Sequence, residues 1–173
     1  MASPSSSNAF ELLGLPKAFD LDPNVIEQAF FARSKDLHPD RFATAPAAER
    51  VAALSRSRAL NDAYQVVKRP VARAELLLRD AGITIGDNER LDPEFLGRVL
   101  ELREELAEAK AGKDKPRIET LRAAMIKRRG QVLAEVTELF RAGTLDEVKH
   151  RLIALRYVDR YIEECDIALD QDD

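Results

Sequence analysis

The 173-residue sequence contains no Trp, one Cys and only seven Gly. A single Cys excludes an internal disulfide framework and is typical of a reducing compartment. The scarcity of Gly and Trp gives no sign of a propeller, a β-sandwich or a phosphate-cradling loop. No apolar run approaches the ~18 residues of a membrane span, and the Ser-rich start lacks the basic residues and apolar core of a signal peptide. We therefore expect a cytoplasmic protein that does not enter a membrane.

Charge is divided unevenly along the chain. Residues 1–73 carry ten Lys/Arg and eight Asp/Glu, whereas residues 74–173 carry seventeen and twenty-three. The acidic back half argues against nucleic acid as a partner. The densest basic cluster, at residues 127–129, is more typical of a solvated helix face.

Apolar residues recur at helical spacing nearly everywhere, and strand signals are absent. In the front half, Asp22-Pro23 is a strong helix start, since Asp caps helices well and Pro favours the first helical position. A second helical run begins near Ala47. We predict an all-α protein with an N-terminal helical hairpin and a C-terminal antiparallel three-helix bundle.

The first hairpin helix must end at Leu37, because Pro39 disfavours helical geometry in the residue before it. His38, Pro39 and Asp40 therefore lie at the hairpin tip. Asp40 could accept charge-assisted hydrogen bonds from an arginine of a partner. An ordinary proline-terminated turn is the alternative interpretation.

His-Pro-Asp at such a tip resembles the J-domain, the module that stimulates ATP hydrolysis by DnaK-type chaperones. Asn61, Ala63 and Tyr64 resemble the Asn-x-Ala-Tyr of that family, but Leu37 replaces its usual Tyr. The resemblance implies a chaperone-binding site, supplied by His38, Pro39, Asp40, Arg33, Lys35 and Arg41.

The back half begins at Asp92-Pro93, another strong helix start. The spacing predicts an inward seam on this helix and two further helices, with breaks at Gly112 and Gly143. We predict a J-domain over residues 1–75, a connecting helix and linker over 76–91, and the bundle over 92–173. The predicted inward seam of the first bundle helix comprises Phe95, Val99, Leu102, Leu106 and Ala109.

Leu96 and Leu100 lie about 100° around the helix from that seam. Tyr157 and Tyr161 likewise fall beside the seam of the last helix. Exposed apolar residues ringed by acids can mark a docking face. A stripe that packs against the rest of the protein is an equal alternative on spacing alone.

Three segments are similar to the HscB family of J-type co-chaperones for iron–sulfur cluster assembly: residues 69–78, Phe95-Leu96 with residues 101–106, and Leu155-Arg156-Tyr157. The resemblance implies a dedicated DnaK-type chaperone, HscA, and a cluster scaffold, IscU, as partners. Gly97 departs from the family, which commonly has a larger apolar residue there. The implied scaffold-binding residues are Leu96, Leu100, Glu101, Arg103, Glu104, Glu108 and Tyr157.

We expect neither enzyme activity nor a resident metal or cofactor. Cys165 lies between Glu164 and Asp166, which would raise its pKa, and a cluster needs about four thiolates. The favoured function is a monomeric HscB-type co-chaperone that stimulates a chaperone ATPase and delivers the scaffold. The alternative is a general J-type folding helper that binds unfolded clients, although the sequence has no Gly/Phe-rich linker or Cys-rich zinc module.

Overall fold

The computed structural model describes residues 6–86, 89 and 92–170, with only the backbone described at residues 6–8 and 39. These residues form helices and turns without a strand, which confirms the all-α prediction. They divide into two compact units, the first ending at Thr84 and the second beginning at Ile85. The helices are α1 (Ser6–Leu13), α2 (Pro23–Leu37), α3 (Ala47–Val67), α4 (Pro70–Asp80), α5 (Pro93–Ala111), α6 (Lys115–Ala142) and α7 (Leu145–Asp170), with a 3₁₀ turn at Pro39–Phe42.

Helix starts follow the local signals in the sequence. The Asp22 carboxylate accepts a hydrogen bond from the backbone N–H of Asn24 at 2.8 Å, and the Asp92 carboxylate accepts one from Phe95 at 3.2 Å. Each cap satisfies a donor that the first turn leaves unpaired. Each is followed directly by proline at the first helical position. These two predicted starts are confirmed.

The first unit packs α1 against α3 and α4, and α2 against α3. Its buried core includes Phe10, Ile26 and Leu60. The rings of Phe30 and Tyr64 stack with centroids 4.2 Å apart. This stack joins α2 to α3 and so helps to fix the hairpin that carries the 3₁₀ turn.

A buried arginine joins α4 to the same unit. The Arg73 guanidinium donates from Nε to the Phe19 carbonyl at 2.8 Å and from Nη1 to the Val67 carbonyl at 2.7 Å. Burial lowers the pKa of Arg73, and nearby Asp20 acts in the opposite direction. The first compact unit includes all of α4 and so extends past residue 75, where the sequence predicts the end of the J-domain.

In the second unit, α6 and α7 form a long antiparallel pair. Gly143 ends α6 in the left-handed conformation that suits glycine, with φ of 75°. The apolar seam between the two helices is accompanied by Arg–carboxylate pairs. These pairs join Arg122 to Asp166, Arg129 to Asp159 and Arg151 to Glu135.

The third helix, α5, packs unequally along its length. Leu106 and Ala109 are buried, at 2% and 1% exposure. Phe95, Val99 and Leu102 are only half-buried and border a cavity between α5, α6 and α7. The predicted seam therefore faces α6 and α7 along the length of α5, but only its C-terminal half is fully buried.

Candidate functional sites

The first candidate site is the tip between α2 and α3. His38 is at once the last cap of α2 and the first cap of the 3₁₀ turn. Its extended backbone, with φ −63° and ψ 127°, is the geometry that a following proline favours. The backbone N–H of Arg41 closes the turn on the His38 carbonyl at 3.0 Å. The tip is thus a short structured turn.

The side chains of His38 and Asp40 face solvent. The exposed fractions are 59% for His38 and 90% for Asp40. The His38 Nδ1 accepts a hydrogen bond from the backbone N–H of Asp40 at 3.3 Å and lies 3.5 Å from the Asp40 carboxylate. The rest of the exposed imidazole can hydrogen-bond to a partner.

The basic residues assigned to this site do not form one patch. The Arg33 guanidinium lies over Gly14, where an added Cβ would come within 2.5 Å of Nη2. Lys35 is two positions further along α2, about 200° around the helix. Arg41 pairs with Asp36 at 2.9 Å and donates to the Lys35 carbonyl at 3.4 Å. The structure therefore places Arg41 at the tip, leaves Lys35 exposed and turns Arg33 toward the end of α1.

The second candidate site is one face of α5. Leu96 and Leu100 are 44% and 54% exposed. They lie one turn apart and so share a face of the helix. Gly97 adds to the openness of this surface, because an added Cβ there would meet no atom within 4 Å. These leucines are not part of the core.

Charged side chains continue this face toward the end of α5. Glu101 and Glu104 are exposed. Arg103 lies 3.7 Å from the Glu164 carboxylate, and Glu108 pairs with Arg117 at 3.3 Å. These pairs are exposed and contribute little to stability.

Tyr157 reaches the same region from α7. Its ring meets Phe95 edge-on, with centroids 5.7 Å apart and an interplanar angle of 83°. This contact places the Tyr157 ring beside the first turn of α5. The structure thus places Tyr157 against the seam of α5, about 100° around the helix from Leu96.

The spacing predicts Tyr161 beside the seam of α7, but the structure places its side chain in the core. The side chain is 6% exposed, and its hydroxyl donates to the Leu102 carbonyl at 3.0 Å. Burial is the main reason that the pKa of Tyr161 rises to about 12, with a smaller contribution from Cys165. Tyr161 is therefore a core residue that ties α7 to α5.

Cys165 is fully buried in the cluster that holds Leu106 and Ile118. Burial is the main cause of its raised pKa, followed by Asp166 and Glu164. The sequence predicted the direction from the neighbouring acids, and the larger cause comes from packing. A buried thiol of raised pKa is a poor nucleophile.

The described residues contain neither a metal-binding cluster nor a membrane-spanning helix. No group of three or more His, Cys, Asp or Glu side chains in residues 6–86, 89 and 92–170 is placed to hold a metal ion. Within the same ranges, none of the helices combines the length and apolar character needed to cross a membrane.

Comparison with known proteins identifies the class. Residues 91–166 match the family model described as the HSCB C-terminal oligomerisation domain. The co-chaperone protein HscB homolog of Vibrio vulnificus strain YJ016 is 36% identical over 163 residues, which cover 92% of this chain and 95% of the relative. The homolog of Neisseria meningitidis strain FAM18 is 33% identical over 165 residues, covering 94% and 99%.

Solved structures agree with these relatives. Chaperone HscB from Vibrio cholerae superposes with a TM-score of 0.83 at 33% identity, covering 95% of this chain and 98% of that one. The human co-chaperone protein HscB has the same fold, with a TM-score of 0.85 at 24% identity over 92% and 80% of the two chains. The fold and the relatives define an all-α co-chaperone, a class without enzyme activity. The chain belongs to the HscB co-chaperone family.

Proposed function

We propose that this co-chaperone stimulates the ATPase of a dedicated DnaK-type chaperone, HscA, and delivers the iron–sulfur scaffold IscU to it. The tip carries the first activity and the α5 face the second, so that the chain assists cluster maturation without holding a cluster itself. The observation that carries the proposal is that His38 and Asp40 at the tip, and Leu96 and Leu100 on α5, are exposed in a member of a co-chaperone family.

The tip can present a charge to a partner without rearranging. The carboxylate of Asp40 is 90% exposed, so an incoming guanidinium reaches it freely. A carboxylate–arginine contact at an interface is a strong, charge-assisted hydrogen bond. Such a contact would favour one conformation of the chaperone over another, which is how a binding partner changes an ATPase rate.

The α5 face can bind a partner by burial of leucine. Leu96 and Leu100 expose about half of their surface, and removing such surface from water stabilises a complex at about 25 cal/mol per Å². Exposed carboxylates at Glu101 and Glu104 suit a partner with basic residues around its docking segment.

Carrying both sites on one chain raises the effective concentration of the scaffold at the chaperone. The division into a J-domain over 1–75, a connecting segment over 76–91 and a scaffold-binding bundle over 92–173 belongs to the same proposal. A monomeric state, which light scattering would test, belongs to the proposal as well. So does a cytoplasmic location, in keeping with the bacterial relatives.

The decisive experiment titrates the ATPase of HscA with this protein, with and without IscU. We expect stimulation to be lost in His38→Gln, because the amide cannot reproduce both ring nitrogens of the imidazole in the same positions. Binding of IscU should stay unchanged.

The matched control is Thr44→Ala, an exposed change just beyond the 3₁₀ turn that should retain full stimulation. Full stimulation by His38→Gln would exclude the J-domain role of the tip. Stimulation that requires an unfolded polypeptide and ignores IscU would instead support a general folding helper.

A second experiment addresses the α5 face. Leu96→Ala combined with Leu100→Ala should weaken IscU binding at least tenfold, since hot-spot truncations at interfaces cost about 2 kcal/mol or more. Far-UV helicity and the unfolding midpoint should change little, because the two side chains are exposed. Isothermal titration calorimetry measures IscU binding, and circular dichroism measures the helicity and the unfolding midpoint.

The chain offers a close control for this pair. Ile126 on α6 and Ile167 on α7 are 44% and 53% exposed, nearly matching the two leucines. The double change Ile126→Ala with Ile167→Ala should leave IscU binding intact. Equal loss in both double variants would show that general surface apolarity, and not the α5 face, governs binding.

A further inference from the structure

The second unit contains a cavity to which the proposed function assigns no ligand. It has a volume of about 310 Å³ and lies between α5, α6 and α7. This volume is at the lower end of the range for small-molecule sites, which is about 300–1,000 Å³. Its apolar wall includes Phe95, Val99, Leu102, Met125 and Val158. A cavity of this kind suits a small apolar group.

The charged side chains that line the cavity are nearly all positive. Five arginines and one glutamate contribute to it, although the whole chain has a net charge of −4. All five guanidinium groups belong to exposed residues, so they surround an opening to solvent. The arginines are Arg98, Arg103, Arg128, Arg151 and Arg160.

The five arginines are not equally available. Arg98 is held by Glu94 at 2.5 Å and Arg151 by Glu135 at 2.6 Å. Arg103 and Arg128 have only loose partners, Glu164 at 3.7 Å and Glu135 at 3.6 Å.

Arg160 makes no ion pair with any residue that the structure describes, and it stands at the same level as Arg128. The pairs Arg122–Asp166 and Arg129–Asp159 set the register of α6 and α7, and that register brings residues 128 and 160 level on the two helices. Both line the cavity. Two like charges on one wall raise the local positive potential, which favours an anion between them.

We propose that this cavity binds a medium-chain carboxylate, with the chain against the apolar wall and the carboxylate at Arg160, Arg128 and Arg103. The guanidinium fork matches a carboxylate geometrically. The size of the cavity, at the lower end of the range for small-molecule sites, suits a chain of medium length. The proposal does not rest on the assignment of the scaffold face, although Arg103 and Tyr157 border both surfaces.

Decanoate is the probe, and Met125 provides the reporter. The sequence has only two methionines, Met1 and Met125, and the second lines the cavity. Protein labelled with ¹³C at the methionine methyl groups should show one resonance that shifts saturably with decanoate. The charge test uses Arg160→Glu, which should weaken binding at least about tenfold, as expected for loss of a charge-assisted contact and gain of a repulsion.

Lys127→Glu is the control for net charge, since it is an exposed change on α6 outside the cavity. It should bind decanoate as the parent does. Val99→Trp should abolish the shift by filling the cavity, and a retained far-UV spectrum would show that the variant is folded.

Three results would overturn the proposal. Decyltrimethylammonium or decanol binding as tightly as decanoate would remove the role of the arginines. Equal weakening of decanoate binding by Lys127→Glu and Arg160→Glu would show that net charge alone accounts for the effect. Absence of a saturable shift with decanoate, combined with a shift on adding IscU or an acidic peptide, would make the cavity part of a protein interface.

Discussion

The two units of this co-chaperone expose their candidate sites by different means. In the first unit, the site is a turn: His38 and Asp40 project because proline ends α2 and begins the 3₁₀ turn. In the second unit, the site is one side of a helix. Leu96 and Leu100 are exposed because α5 turns other residues toward its neighbours, and even those are only half-buried along its first turns.

The two units also differ in the polar contacts that hold their helices together. A buried arginine fixes the first unit through two backbone carbonyls, Phe19 and Val67. The second unit joins α6 and α7 by Arg–carboxylate pairs that are about one-third exposed or more. Exposed pairs of this kind contribute about 0–1 kcal/mol each, so they set register more than stability. The first unit is therefore more sensitive to single polar changes than the second.

The largest expected effect is on the stability of the first unit, and it tests the difference between the two units. Arg73→Met should destabilise the first unit by about 2–5 kcal/mol, because two buried carbonyls lose their donor and each costs roughly 1–3 kcal/mol. Urea unfolding followed by far-UV circular dichroism measures the change. Arg79→Met, an exposed change on the same helix, should shift stability by less than about 0.5 kcal/mol. If the two variants are alike, Arg73 does not hold the unit together.

The second comparison lies within α5 alone, where we expect a difference of about 1–4 kcal/mol between two leucines. Leu106→Ala removes a side chain that is 2% exposed and should cost about 2–5 kcal/mol. Leu102→Ala, one turn away and bordering the cavity, should cost about 1 kcal/mol because its side chain is already partly hydrated. Thermal or urea unfolding compares them directly. Equal losses would mean that α5 packs evenly and that the cavity is closed in solution.

The smallest effect concerns the exposed face of α5. Gly97→Ala should stabilise the second unit by up to about 1 kcal/mol, since alanine favours helix and its Cβ meets no neighbour. Gly143→Ala is the opposing control, because φ of 75° strains any residue with a Cβ. A destabilised Gly97→Ala, measured by the same unfolding, would show that this surface is covered.

Much of the fold could be predicted from the sequence. Caps at Asp22 and Asp92, the prolines that follow them and the stop before Pro39 act on adjacent residues, so short windows predict the ends of the helices. The exposed position of Leu96 and Leu100 also follows from their angle to the seam, although spacing alone left open whether another part of the chain covers them.

Other features had no such local signal. Arg73 reads as one basic residue among many, and its burial depends on the Phe19 carbonyl 54 positions away. Tyr161 was placed outside the core, yet it is buried because its hydroxyl reaches the Leu102 carbonyl 59 positions away. The position of the Arg33 guanidinium over Gly14 likewise depends on packing between α2 and the end of α1.

The sequence by itself determined where α2 and α5 begin and where α2, α5 and α6 end, because caps, prolines and glycines act within a few residues. Only the tertiary structure decided which half of the α5 seam is buried and which arginines surround a cavity. Those outcomes depend on the distance and angle between helices, and packing among residues far apart in the chain sets both.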